Sequence, residues 1–584
     1  MPSQAGTALI KYLDGLYAEG EVAREDTVLR RAQEHINFQR GEQWPRNLPR
    51  GTVDIVINLC DDVVQRKAGL LTDARPQLQV VSTNEEVTKR PDILTALEKV
   101  LRAIWDQVTW SEELARGIAF SEVVGCNVGM MTWDPLADNG RGDIRPSFFD
   151  PRAFVCDPAV IAATDLQQGE FCATEEIRTK ASLLEQFGDI ARDVQPDGDL
   201  SSYPVSPRAQ RGVLSPVGTT GQQFRHRAQQ RVASMIPRAK NRNYWFKDFK
   251  RDRYGQPIFY EHGRPARRII RHAVVAGGEV LVDEPNPHWH GEYPYEMLDW
   301  GLELDNPYGA SEVGKLRRAQ ETLNKITSQM IKNTILMNNL KIVADSNALD
   351  AEQWDKLTNR PAMILRKRQG TVIEFQSPPS LPPYLFQLLE FLVKALDLMS
   401  GMGDVTRGDA SPSQSGIALE SLAVASQTLI RYQARRIEAF ITRLWTKGIP
   451  LVFQHYGSKR VIRLVGSGGV IEPYLWDRAA LFAGFVQPDE LFQDFALHVA
   501  PCSSLAVAKI QKATLSMNLH QIGLIPGVDV LRMADWQDPE ATYAAAQQEV
   551  AAMQAQQART ANGLHAVPGG SQRVPAGYPA GGMG

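Results

Sequence analysis

Residues 311–340 read SEVGKLRRAQETLNKITSQMIKNTILMNNL. No proline interrupts this run and no glycine falls beyond Gly314, so one long helix is predicted over Ser311 to Leu340. Leu316, Leu323, Met330 and Met337 recur every seven residues, with Ala319 and Ile326 between them. That is an apolar seam suited to helix–helix packing. Lys315, Arg318, Thr322, Lys325, Gln329 and Lys332 form a separate stripe at spacing three and four, polar and mostly basic. Ser311 is the natural N-cap.

Working outward, a second helix is predicted from Tyr384 to Met399, closed at Ser400-Gly401-Met402-Gly403, where glycine permits the left-handed conformation. Strands and turns fill about 341–378, with Ile342–Ala344 and Met363–Arg366 the best strand candidates. A polar Gly/Asp/Ser/Pro stretch runs to Ser415, then another long helix over about Ile417 to Thr446. Residues 450–505 read as strands and turns, including Val461–Val465 and Phe495–Pro501. Helices follow over Leu505–Ile522 and Pro539–Ala558. The Gly/Pro/Ala-rich end, Asn562–Gly584, has the composition of a disordered tail.

Upstream, residues 1–40 read as helix and Gly41–Gly51 as loop. Amphipathic runs cover Ile93–Trp105 and Glu112–Val124, with strands at Val128–Trp133 and Arg145–Phe149. Two Asp-Pro pairs, Asp150-Pro151 and Asp157-Pro158, each favour a turn, since proline fixes φ and Asp can bond the backbone just ahead. Gly169–Ile177 reads as strand, Lys180–Phe187 as helix, and Asn243–Tyr260 and Ala266–Asp283 as strand-like. Between them, about 200–243 reads as a flexible basic insertion. It carries Arg208, Arg211, Arg225, Arg227, Arg231, Arg238, Lys240 and Arg242 with hardly an acid among them. The fold class is α+β, and no internal repeat is seen.

Composition bounds the function. A chain of 584 residues exceeds one compact core. Its 43% hydrophobic and 22% charged residues are those of an ordinary globular protein. The net charge of -3 is not that of a protein that coats DNA, so any DNA contact must be local or must tolerate sliding. The five cysteines, Cys60, Cys126, Cys156, Cys172 and Cys502, form no CxxC pair and read as buried, reduced thiols. No basic-then-apolar leader is seen at the start. The most apolar stretch, Tyr384 to Met402, carries Glu390, Lys394 and Asp397 and reads as a packed helix, so no membrane is implied.

Chemistry finds no convincing home. Gly309-Ala310-Ser311-Glu312-Val313-Gly314-Lys315-Leu316 resembles a phosphate-binding loop, but Leu316 stands where a Ser or Thr hydroxyl would hold magnesium. Asp305-Asn306-Pro307 precedes it instead of a buried strand. His288-Trp289-His290 cannot put two rings on one helix face, and neither an HExxH nor a GxSxG occurs. No catalytic residue, metal or cofactor is assigned.

Several motifs, in order, resemble the portal proteins of tailed bacteriophages, the P22-like podovirus group above all. Phe38-Gln39-Arg40-Gly41-Glu42-Gln43-Trp44 is similar to that family's F-x-x-G-x-Q-W element. Val56-Ile57-Asn58, Lys67-Ala68-Gly69 and Arg75-Pro76 follow it. Phe149 to Pro158 is similar to its double Asp-Pro turn. Asn306-Pro307-Tyr308-Gly309 leads into the long helix with Gln320 and Asn324, and Ser415-Gly416-Ile417-Ala418 opens another.

The resemblance implies a portal fold: a mixed α/β wing, long stem helices, a strand-containing clip and a helical crown. By position the wing is 1–305, the stem helices 306–340 and 382–400, and the clip 341–381. The tunnel loop is 401–415, a long helix with completion of the wing 416–535, the crown or C-terminal helix 536–560, and the tail 561–584. It also implies a homo-oligomeric ring, a dodecamer, at one capsid vertex of the virion, assembled in the host cytoplasm. Implied partners are double-stranded DNA in the channel, terminase, capsid and scaffold proteins, and tail adaptor proteins. Candidate channel or DNA-facing residues are Lys315, Arg318, Lys325, Lys332, Asp404, Arg407 and Asp409. Candidate clip contacts are Asp350, Glu352, Arg366, Lys367 and Arg368. The competing class is a terminase-like ATPase or nuclease, which the defective loop at Leu316 and the lack of a recognisable carboxylate cluster disfavour. The basic insertion has no counterpart in the family.

Overall fold

The N-terminal run forms two helices, α1 (Gln4–Glu25) and α2 (Ala32–Gln39), where one is expected. Thr27 breaks it: its hydroxyl donates to the Arg24 carbonyl at 2.6 Å and accepts the Leu29 amide at 3.3 Å, capping an intervening 3-10 turn. Next come α3 (Leu59–Thr72), β1 (Leu78–Ser82), α4 (Pro91–Gln107) and α5 (Trp110–Val124), the last two enclosing the predicted amphipathic runs. The computed structural model describes residues 4–553 except 198–236, 251–256, 351–367, 377–380, 402–427, 466–470, 486–490, 500–514, 534–541 and scattered single or paired positions. Its described residues mix helix and sheet, as an α+β chain should.

The middle of the chain is mostly strand. It comprises β2 (Cys126–Asp134), β3 (Asp143–Phe149), β4 (Phe154–Cys156), β5 (Phe171–Thr179), α6 (Lys180–Phe187), β6 (Arg238–Asp248), β7 (Ile269–Ala276), β8 (Glu279–Pro285) and β9 (Tyr295–Asp299). Both Asp-Pro turns are built as their chemistry predicts. Asp150 accepts the Arg152 amide at 2.9 Å, and Asp157 accepts the Ala159 amide at 2.9 Å and that of Glu170 at 2.7 Å.

Two expectations are corrected here. The run Ala266–Asp283 is two strands, because Gly277 and Gly278 take φ of +53° and +82° and turn β7 into β8. The end of the basic insertion is not loop, since Arg238, Lys240 and Arg242 lie in β6. Glu175 on the adjacent β5 answers them: it pairs with Arg242 at 2.7 Å and Lys240 at 3.9 Å. Alternate β6 positions such as Ala239 and Asn241 meanwhile bury. The remaining arginines of the insertion lie outside the described residues.

The second half begins with α7 (Glu312–Asn338), β10 (Lys341–Ala344), β11 (Ile373–Gln376) and α8 (Tyr384–Ser400). Gly401 closes α8 at φ +75° as expected. After it come α9 (Thr428–Thr446), α10 (Gly448–His455), β12 (Lys459–Val465), β13 (Ile471–Asp477) and β14 (Phe495–Val499). Helix α10 corrects the reading of 450–505 as strands and turns. Pro450 sits in its first turn, where no amide hydrogen is required, while Ile449, Leu451, Val452 and Phe453 all bury. The candidate strand Met363–Arg366, the stretch 402–415 and the start of the Ile417 helix lie outside the described residues.

The chain divides into two units, Met1–Leu464 with Glu472–Leu505, and Val465–Ile471 with Ala506–Gly584. In the first, a five-stranded antiparallel sheet runs β8-β7-β6-β5-β4 and a three-stranded one β9-β2-β3, while β1 pairs with β14. Helix α1 covers one face of the larger sheet, with Leu13 and Tyr17 against Val155, Ala173 and Tyr244. The opposite face, with Phe154, Cys156, Cys172 and Trp245, joins the main core. An aromatic cluster links α4, α5, β3 and α9: Trp105 stacks on Trp445 at 5.1 Å and Trp110 on Phe148 at 5.0 Å. In the second unit the expected helices appear as helical residues 515–521 and 546–551, with a further helix Gly527–Met533.

Candidate functional site

Several of the motif residues quoted from the sequence meet at the root of α7. Ser311 caps the helix, accepting the Gly314 amide at 3.0 Å and donating to the Val123 carbonyl at 2.6 Å. Just before it, Asn306 accepts the Tyr308 amide at 2.9 Å, and Gly309 takes φ +62°. The segment resembling a phosphate loop is therefore a helix start. Lys315 is also engaged, its ammonium donating to the Met399 carbonyl at 2.7 Å. Because Met399 ends α8 while Lys315 begins α7, the two helices lie antiparallel. The antiparallel pair β10–β11 joins their far ends.

One turn further along α7, Gln320 and Asn324 are buried amides. Their oxygens accept the Leu59 amide at 3.2 Å and the Ile57 amide at 3.1 Å, and Gln320 donates to the Ile57 carbonyl at 2.5 Å. Asn324 donates to Gln43 at 2.6 Å. Gln43 in turn donates to Asn58 at 2.7 Å and to the Phe38 carbonyl at 3.1 Å. Trp44 closes the loop with its indole on the Ile55 carbonyl at 3.0 Å. Two motifs separated by more than 250 residues thus form one network. Amide side chains suit the task, since each both donates and accepts and so satisfies an irregular backbone that has no strand partner.

Beside this network lies a buried charge cluster that sequence reasoning missed. Lys67 of α3 and Glu312 of α7 pair at 2.9 Å, both less than a tenth exposed. Glu122 of α5 is fully buried next to them, and neither carboxyl oxygen has a hydrogen-bond partner. Burial pushes its pKa well above the ordinary carboxylate range, Lys67 pulling it back in part. His35 packs against Gly314; burial first, and the Arg317 guanidinium second, hold its pKa down to about 4. A second set pins α9: Arg436 pairs with Asp299, Arg443 with Glu296 at 3.0 Å, and Lys447, just past the helix, with Glu296 at 3.0 Å. The spacing 436, 443, 447 is one helical face, a signal the sequence did carry.

The seam of α7 is buried only at its root. Leu316 and Leu323 are covered, while Met330 and Met337 are half-buried; off the seam, Ile335 and Leu336 are exposed. Helix α8 mirrors this: Leu396 is buried near its end, but Tyr384, Phe386 and Phe391 at its start are more than half exposed. Lys315, Arg318, Lys325 and Lys332 are all exposed, and the last three have no ion pair among the described residues. Asp350 and Arg368, both exposed, pair with each other at 2.6 Å. Asp404, Arg407, Asp409, Glu352, Arg366, Lys367 and Cys502 lie outside the described residues. Cys60, Cys126, Cys156 and Cys172 are free and buried. Among the described residues no three His, Cys, Asp or Glu side chains gather as for a metal ion, and no helix is long and apolar enough to cross a membrane.

The chain belongs to the family of phage P22-like portal proteins, whose profile matches residues 17–475. No curated protein matches it. It is therefore a structural phage protein, and the matched span covers the amide network, both helices of the antiparallel pair and the α9 contacts.

Two outcomes are expected at the root. Gln320→Leu leaves the Leu59 amide and the Ile57 carbonyl, both part-buried, without their side-chain partner, so stability falls by about 1–3 kcal/mol in urea denaturation. His35 is neutral when folded and gains a proton near pH 6.5 when unfolded, so its contribution is present above pH 6.5 and lost as pH falls toward 4. The wild type should lose stability with falling pH more steeply than His35→Gln across that window, by up to about 1.4 kcal/mol per pH unit. Parallel curves would show that His35 does not titrate differently on folding.

Proposed function

We propose that the chain is one subunit of a ring, a dodecamer, at one capsid vertex, through which double-stranded DNA is packaged, retained and ejected. The observation that carries this reading is the antiparallel pair α7–α8, rooted in the core at one end and apolar but uncovered at the other. Exposed Ile335, Leu336, Tyr384, Phe386 and Phe391 are more apolar surface than a helical pair in water normally shows. A neighbouring copy related by rotation covers such a surface through a heterologous contact that closes into a ring. In this reading 306–340 and 382–400 are the stem, 341–381 the clip that meets terminase and then tail adaptors, and 1–305 with part of 416–535 the wing. The segment 401–415 is the tunnel loop, 536–560 the crown, and capsid and scaffold proteins surround the ring.

The stripe Arg318, Lys325 and Lys332 suits DNA that must slide. Each fixed phosphate contact adds affinity and friction, so a few open cations on a near-neutral chain guide the duplex without gripping it. Lys315 belongs to the helix pairing instead. An ATPase or nuclease reading has less support, because the segment that would hold phosphate is a capped helix start with Lys315 committed to Met399.

Electron microscopy and native mass of the purified protein, alone and mixed with capsid and scaffold proteins, should show rings of about twelve copies with an axial hole. A chain that stays monomeric in both settings overturns the proposal. Replacing Arg318, Lys325 and Lys332 together by Gln, with Lys315 kept for the helix pairing, should lower packaged DNA per particle while rings still form; unchanged DNA content removes the stripe from the mechanism.

A further inference from the structure

Four of the cysteines, Cys60, Cys126, Cys156 and Cys172, lie in one apolar core cluster. Two of them have a more specific relation. In the antiparallel register of β4 and β5, Cys156 stands directly opposite Cys172, on the same face of the sheet. The Asp157 amide donates to the Phe171 carbonyl at 3.0 Å, so the adjacent pair 157/171 is the hydrogen-bonded one. Cys156 and Cys172 are therefore a non-hydrogen-bonded pair, the kind whose side chains approach most closely. In such a pair the Cα atoms lie about 4.5 Å apart. A disulfide accepts Cα separations of about 4.4–6.8 Å. Cys126, by contrast, is on β2 in the other sheet and has no register partner among the cysteines.

We propose that Cys156 and Cys172 are an oxidation site, joined by a two-electron oxidant in an intrachain disulfide that staples β4 to β5. With oxidised glutathione, one protein thiolate attacks the glutathione disulfide and releases one glutathione thiolate. The second protein thiolate then displaces the other. Two S–H bonds become one S–S bond, and two glutathione thiols leave with the protons and electrons.

The position of the pair explains both its reserve and its consequence. Burial pushes the Cys156 thiol up to about 12 and that of Cys172 well above the ordinary range, so both stay protonated in the closed sheet. Reaction waits on opening of β4, which is the outermost strand and only three residues long. The Cys156 thiol also meets the Tyr308 hydroxyl at 3.5 Å, in the turn that feeds α7. Oxidation withdraws the S–H from that contact while tying down the sheet edge beneath it.

The test is disulfide mapping on the full-length protein after incubation with oxidised glutathione, with alkylation of remaining thiols and digestion without reductant. The expected product is a cross-linked peptide pair containing Cys156 and Cys172, with Cys126 alkylated. It should form faster in sub-denaturing urea, persist in Cys126→Ala and vanish in Cys172→Ala, and the oxidised chain should resist unfolding better than the reduced one. Full alkylation of both residues under every condition, a bond to Cys126 instead, or only separate glutathione adducts would overturn the proposal. Since mapping on the wild-type chain decides the matter, misfolding of a variant leaves the test intact.

Discussion

The long helix depends on how its first turns are held, and the holding is done by amides. Gln320 and Asn324 are buried on α7 and satisfy the backbone of 57–59, a segment entering α3 without strand partners. An apolar side chain at either place would leave peptide groups dry and unpaired, which costs more than the amide's own desolvation. Gln43 and Asn58 extend the same logic, so the loop after α2, the start of α3 and the root of α7 are fixed as one piece. A helix anchored this firmly at one end can project the rest of its length without folding back on the core.

Charge placement follows a similar division. Buried ions are tolerated where they are paired and where they fix geometry, as Lys67 does with Glu312 across α3 and α7. The basic face of α9 meets acids at both ends of β9, so the helix is joined to the three-stranded sheet by Asp299 and Glu296. These pairs are specific in register: a slip of one residue along α9 would rotate the arginines off the acids. Glu122 is the exception. A fully buried carboxyl without a partner is stable only when it keeps its proton, which its raised pKa allows.

Much of this was legible in the sequence, for reasons that differ by element. The helices α7 and α8 announced themselves by length, apolar spacing and the glycine at 401, which are local properties. The Asp-Pro turns were equally local, and Asp150 and Asp157 behave as their side-chain chemistry dictates. Misreadings arose where tertiary contacts decide. Thr27 splits one helical pattern into two through a hydroxyl that both donates and accepts. Gly277-Gly278 hides a hairpin inside an apolar run. The basic end of the insertion becomes a strand because Glu175 waits across the sheet. In the site, Gln43, Gln320 and Asn324 were visible as family likenesses, but their meeting was not, since nothing in spacing links positions so far apart. Lys67 and Glu312 stood within quoted motifs, but their burial beside Glu122 gave no signal, as a buried charge looks like a surface one until its neighbours are known.

Three demands on one helix explain the pattern along α7. Its root must be polar enough to satisfy irregular backbone, hence Gln320 and Asn324. Its distal turns carry Ile335 and Leu336, apolar and exposed in a single copy. Its remaining stripe, Arg318, Lys325 and Lys332, carries charge that no acid among the described residues pairs with. A solitary globular protein would satisfy none of the last two, since uncovered apolar rows invite aggregation and unpaired cations repel one another. The proposed ring answers both: copies standing side by side would take the apolar surface out of water, and a shared anion would offset the repulsion among the cations brought close. Within that proposal, association between copies and contact with the anion are coupled, each lowering the cost of the other.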